Sequence, residues 1–157
     1  MKSFVKYWLP LLIWFGVIFL ASTDLMSAEH TSRFIVPILR WLKPDISLET
    51  LASIHFIIRK CTHLAEYAIL ALLLLRAICM TNLKRLALML YATVWIVCSL
   101  VAFTDEFHQT FVISRGPSVR DVMIDSAGAI FGLLIGAIFA RRCPAKLQKT
   151  SIRSINV

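Results

Sequence analysis

Residues 86–104 read LALMLYATVWIVCSLVAFT and are followed at 105–109 by DEFHQ. A helix needs about 20 residues, at 1.5 Å of rise each, to cross the ~30 Å hydrocarbon core of a bilayer. A charge-free run of nineteen therefore reads as a membrane span, and the abrupt acid, acid, imidazole and amide mark where it leaves the hydrocarbon. Three other stretches share this character: Tyr7 to Thr23 has no charge, Val122 to Ala140 only Asp125, and Cys61 to Leu83 only Glu66 and Arg76 near its ends. Spans at about 7–23, 61–83, 86–104 and 122–140 predict an all-α fold, a polytopic membrane bundle of four transmembrane helices. Residues 1–140 form one membrane domain and 141–157 a basic cytoplasmic tail.

Composition agrees with that class. The 157 residues are 59% hydrophobic and 17% charged, against roughly half and a quarter in soluble domains. Five Gly and five Pro exclude a collagen-like or low-complexity chain, and so much apolar surface excludes disorder. The basic start at Lys2 and Lys6 before an apolar run resembles a signal peptide. Met26 at the outer position before Ser27 and Ala28 makes a poor cleavage site, so an uncleaved signal anchor is expected.

The net charge of +8 is a threading signal, not a nucleic-acid footprint. With the N-terminus in the cytoplasm, the cytoplasmic segments hold ten basic residues and no acid, while the other side holds seven basic residues and all nine acids. The two sides carry +10 and −2, and the positive-inside rule selects this orientation, with both termini cytoplasmic in an inner membrane. The segment from Asp24 to Lys60 then lies outside. Within it, Phe34, Ile35, Ile38, Leu39, Trp41 and Leu42 with Arg33, Arg40 and Lys43 read as a short amphipathic helix broken by Pro37, and Leu48 to Ile58 as a further apolar piece. Such an amphipathic or re-entrant segment lies in the headgroup region or folds back over a site.

Ionisable groups at the edge of hydrocarbon are costly unless paired or hydrated, and this chain gathers them in three clusters at external span ends. Arg59, His63 and Glu66 sit at i, i+4 and i+7, on one helical face with Lys60 and Tyr67 beside them. Asp105 is followed at i+3 and i+4 by His108 and Gln109, so acid, imidazole and amide can face one point while Glu106 turns aside by about 100°. Arg115, Ser118 and Asp121 precede Asp125. The Asp121 and Asp125 face continues through Gly128, Gly132 and Gly136, small residues at four-residue spacing that admit a neighbouring helix or a second copy of the chain. Asp121 near a helix start can cap it; Asp125, a turn deeper, cannot.

These blocks resemble the VanZ-like membrane proteins, a family named after a protein linked to resistance to the glycopeptide antibiotic teicoplanin. Lys60, His63, Glu66 and Tyr67 match a K-x-x-H-x-x-E-Y block, Asp105 to Gln109 a D-E-x-H-Q block, and Arg115, Ser118, Asp121, Asp125 and Gly128 an R-x-x-S-x-x-D-x-x-x-D-x-x-G block. The resemblance runs from about Arg59 to Phe139. It departs where the family often has Pro-Gly before the arginine, since this chain has Ile113-Ser114 there and places Gly and Pro at 116 and 117. The resemblance implies a polytopic envelope protein and supplies no reaction.

Two classes of function fit the residues. In the first, the clusters converge in an external pocket. There Glu66, Asp105, Glu106, His108 and Asp125 supply acid/base groups, and Arg59, Lys60, His63, Tyr67, Gln109, Arg115, Ser118 and Asp121 bind a lipid or lipid-linked cell-wall precursor. Glu66, Asp105, His108 and Asp125 are the candidates for a divalent metal ion, since carboxylate and imidazole three apart on a helix can share one. In the second, the same network is a structural lock, a lipid-binding site or a path for protons or lipid. No nucleic acid is expected as a partner. Cys61, Cys79, Cys98 and Cys143 lack CxxC spacing and, by the topology, predict no disulfide.

Overall fold

The computed structural model describes residues 2–23, 28–79, 87–112 and 118–142. Arg115, the Ile113-Ser114 departure and the tail from Cys143 onward lie outside the described residues. Five helices follow one another: α1 (Lys2–Ser22), α2 (Ala28–Leu42), α3 (Leu48–Cys79), α4 (Ala87–Gln109) and α5 (Val119–Arg142), with no strand among the described residues. Four of them, all but α2, are long and apolar enough to cross a membrane. The expected four-span all-α bundle is what forms.

Its packing is that of a membrane protein. Large apolar side chains face outward along the spans, among them Phe4, Leu12, Phe19, Leu88, Leu100, Phe103, Met123, Leu134 and Phe139. Water would not tolerate such a continuous surface on a monomer, but lipid does. Inside, small residues carry the contacts: Ala71, Ala77, Ala102 and Ala129 are fully buried beside Leu70, Val94 and Cys98. Without a hydrophobic drive between helices in lipid, close approach of backbones is the main source of association.

The closest approach is between α3 and α5, which run parallel. A Cβ on Gly128 would meet the Leu64 carbonyl, one on Gly132 the Ala68 carbonyl, and one on Gly136 the side chains of Leu75 and Leu72. The first two contacts pair residues 64 positions apart, so the helices stay in register over a full turn. The glycine face is thereby covered within the chain. Self-association through Gly128, Gly132 and Gly136 is corrected: that face has no room left for a second copy.

The helices run a few residues past the stretches read as spans, and two features differ more deeply from the sequence reading. The second span belongs to a 32-residue helix that starts at Leu48, well before the stretch read as span. Ser47 caps it: its Oγ accepts the Thr50 N–H at 3.2 Å and lies 2.9 Å from Thr50 Oγ1, satisfying a donor the first turn leaves orphaned. At ~1.5 Å per residue α3 is about 48 Å long, so it outruns the hydrocarbon, and its level with α5 puts the excess before Lys60. The other correction is α2, which Pro37 does not break. The proline frees only the Arg33 carbonyl, and Arg33 lies on the exposed side, where water or headgroups can satisfy it. Ile35, Val36 and Leu39 are half-buried while Phe34, Ile38, Trp41 and Leu42 stay exposed, and α2 packs against α3.

Candidate functional site

Where α1 and α4 finish and α5 begins, the three polar blocks meet. The parallel register of α3 and α5 makes successive rungs. On the outermost, Lys60 Nζ donates to Asp121 Oδ1, and an Arg59 guanidinium nitrogen lies 3.7 Å from Asp121 Oδ2. Asp121 is almost wholly buried, at 2% exposure, and sits in the first turn of α5, where the helix dipole favours a carboxylate. One turn deeper, His63 Nδ1 lies 3.1 Å from Asp125 Oδ1, with both residues buried. The Leu64–Gly128 and Ala68–Gly132 contacts follow directly below. The glycines bring the backbones close enough for these short side chains to touch.

The second block joins from α4. Glu106 is buried and its Oε1 accepts the backbone N–H of Ser118, the residue that precedes α5. Ser118 in turn accepts the Asp121 N–H at 2.8 Å through its own carbonyl. Gln109, fully buried, donates from Nε2 to Asp105 Oδ2 at 3.1 Å. Tyr67 is fully buried at the centre, with the carboxylates of Glu66, Asp105 and Asp125 within electrostatic range of its hydroxyl. Glu66 is half-buried and also within range of His63.

Within block two the arrangement is the one its spacing predicts, with Gln109 bonded to Asp105 and Asp105 beside His108. Asp105 and His108 line a cavity of about 300 Å³ against Phe15, Ile18 and Phe19 of α1, with the His108 ring 4.9 Å from that of Phe19. Glu106 turns aside from these residues and faces α5. The reason is that α4 packs against both α1 and α5, so adjacent residues some 100° apart serve different neighbours. Among the described residues no three His, Cys, Asp or Glu side chains come together as a metal-ligand group, and the set Glu66, Asp105, His108 and Asp125 is not drawn to one point.

Several contacts were not foreseen. Trp14 Nε1 donates to the Glu66 carbonyl at 3.0 Å, pinning α1 to α3, and Ser126 Oγ donates to Ser99 Oγ at 3.0 Å between α5 and α4. A Trp in mid-span carries the signal for the first, since its N–H must find an acceptor in apolar surroundings. Tyr67 Oη, Glu106 Oε2, Gln109 Oε1 and Asp125 Oδ2 are shielded and have no hydrogen-bond partner. Such groups are costly to leave unpaired. These four lie toward the end of the bundle where the polar blocks meet.

A family model described as VanZ/LLP1 matches residues 7–140. No curated protein and no solved structure matches the chain.

Proposed function

The chain belongs to the VanZ/LLP1 family, and from that premise and the convergence of its polar blocks we propose that it is an envelope membrane protein that binds, at this end of the bundle, the headgroup of a lipid or lipid-linked cell-wall precursor. The asymmetry around Asp121 carries the reading. Arg59 and Lys60 share that single carboxylate, and the Arg59 Nε is shielded without an acceptor, so the pair keeps positive charge in reserve for an anionic phosphate. Behind them, Asp125 holds His63 through Nδ1. An imidazole held in this way by a carboxylate is oriented for proton transfer through Nε2, and Tyr67, Gln109 and Asp125 offer unpaired polar atoms beside it. Binding or a proton-assisted reaction on the headgroup both draw on this arrangement.

The charge asymmetry supports placing this end on the outer side of the inner membrane, with both termini in the cytoplasm. A lipid-linked wall precursor is exposed there, so sequestering or altering it would change sensitivity to glycopeptide antibiotics such as teicoplanin. The competing reading, a structural lock, draws on the α3–α5 glycine contacts, which place the ion-paired rungs directly above the tightest packing in the bundle.

Matching-amide and neutral variants separate the two. In a strain lacking the native protein, Asp125→Asn and His63→Gln are compared with the wild type for membrane level and for teicoplanin sensitivity. Normal levels with a lost phenotype support the headgroup role. Loss of the protein from the membrane supports the lock.

A further inference from the structure

A second cavity, of about 380 Å³, lies on the other flank of α4, between its last turns and the start of α5. Its volume is within the range of small-molecule sites. Phe103, Phe107, Val119 and Val122 form its walls, and Glu106 and Ser118 its polar inner end. Phe103, Phe107 and Val119 are also among the most outward-facing side chains of their helices, and both helices are membrane spans. The groove is thus apolar, open toward lipid, and floored by one acidic side chain.

That floor is the informative part. Glu106 is 5% exposed, and its two oxygens are used unequally. Oε1 accepts the Ser118 N–H, whereas Oε2 is shielded and has no partner. A buried carboxylate with one unpaired oxygen lacks a hydrogen-bond donor. Along α4, Phe103, Glu106, Phe107 and Thr110 follow at i, i+3, i+4 and i+7, a strip about 10 Å long on one face. An extended hydrocarbon chain fits such a strip, with its polar head at the Glu106 level.

The geometry points to a lipid-binding groove between α4 and α5 that takes an acyl chain between Phe103, Phe107 and Val122 and selects headgroups bearing an N–H or O–H donor for Glu106 Oε2. The inference rests on the headgroup-binding reading above and names the class of lipid for it. An ammonium from an ethanolamine headgroup and a hydroxyl from a glycerol headgroup supply the same donor chemistry. A choline headgroup has none.

Native mass spectrometry of the full chain released from micelles tests this, with phosphatidylethanolamine, phosphatidylglycerol and phosphatidylcholine of identical acyl chains as probes. The wild type retains one or both donor-bearing lipids about tenfold better than phosphatidylcholine, the size of one charge-assisted hydrogen bond; which of the two is retained identifies the donor. Glu106→Gln keeps a carbonyl for the Ser118 N–H but turns the free atom into a donor, and abolishes the preference. Val119→Trp, at a 79% exposed position where folding is not at risk, fills the groove and lowers retention of all three lipids. Gly16→Ala on α1, where nothing lies within 4 Å of an added Cβ, keeps the wild-type preference; the three-lipid preference reads Glu106, whereas the membrane-level and sensitivity assay of Asp125→Asn reads the His63–Asp125 site, so a failure of one remains separate from a failure of the other. Equal retention of the three lipids by the wild type, or an unchanged preference in Glu106→Gln, overturns the inference.

Discussion

Replacing Gly132 by alanine tests whether close contact between α3 and α5 holds the polar end together. A Cβ at this position would lie 2.9 Å from the Ala68 Cα and carbonyl carbon. Non-bonded carbons prefer about 3.5–4.0 Å and the Ala68 carbonyl oxygen lies closer still, so the helices must part by roughly 1 Å or more. Overpacking of this kind costs roughly 1–3 kcal/mol. Alanine itself favours a helix over glycine by about 0.5–1 kcal/mol, which partly masks the clash. Gly16→Ala on α1 supplies the correction, because nothing lies within 4 Å of a Cβ there and only the propensity gain remains. The difference between the two variants, about 1–3 kcal/mol against Gly132→Ala, isolates the clash. The same parting would stretch the 3.1 Å His63–Asp125 contact to about 4 Å, beyond hydrogen bonding. Unfolding by sodium dodecyl sulfate from mixed micelles, followed by circular dichroism, measures the difference. A Gly132→Ala protein as stable as Gly16→Ala would refute the argument that these backbones touch.

Three further outcomes follow from the described contacts. Asp121→Asn removes the carboxylate that Lys60 and Arg59 share and is expected to destabilise by about 1.5–3 kcal/mol, with Lys60→Met in the same chain recovering part of the loss; the micelle titration reads both, and no recovery would sink the pairing. Trp41, exposed on the apolar side of α2 with Arg33 and Arg40 together on the adjoining face, is expected to sit at the interface. With the other three tryptophans replaced by Phe, its fluorescence should shift to the blue in anionic vesicles and be quenched by shallow lipid-borne quenchers, whereas a water-like spectrum would contradict a membrane-lying α2. Cys61 is exposed on α3 beside the cation pair. As the sole cysteine it should react with an impermeant maleimide added to intact cells, and protection until lysis would reverse the proposed orientation.

Much of this architecture is readable from residue order because lipid imposes simple constraints. Runs free of charge locate the four spans, and the misplaced charges locate the polar cluster: Lys60 meets Asp121 and His63 meets Asp125, as their one-turn spacing on two helices allows. What periodicity cannot convey is which neighbour a face meets. Gly128 and Gly132 advertise a partner helix, but only the fold names α3 from the same chain. Glu106 and Asp105 are adjacent in sequence, and only the position of α4 between α1 and α5 sends them to different flanks. Helix ends and membrane ends also differ. The Ser47 cap with Glu49 in the first turn signals a start for α3 well before Lys60, yet hydropathy responds to the bilayer alone and places the span near Cys61. Pro37 reads as a breaker because its cost falls on a carbonyl, and the exposure that relieves that cost is a tertiary fact.

Binding of a lipid-linked wall precursor to the full chain in nanodiscs is the direct test of the proposed headgroup site. Saturable binding by the wild type is expected, with a loss of about tenfold or more, equivalent to ~1.4 kcal/mol, in both His63→Gln and Asp125→Asn at unchanged helicity. Equal binding by the wild type and Asp125→Asn, or no binding by the wild type, would contradict that site.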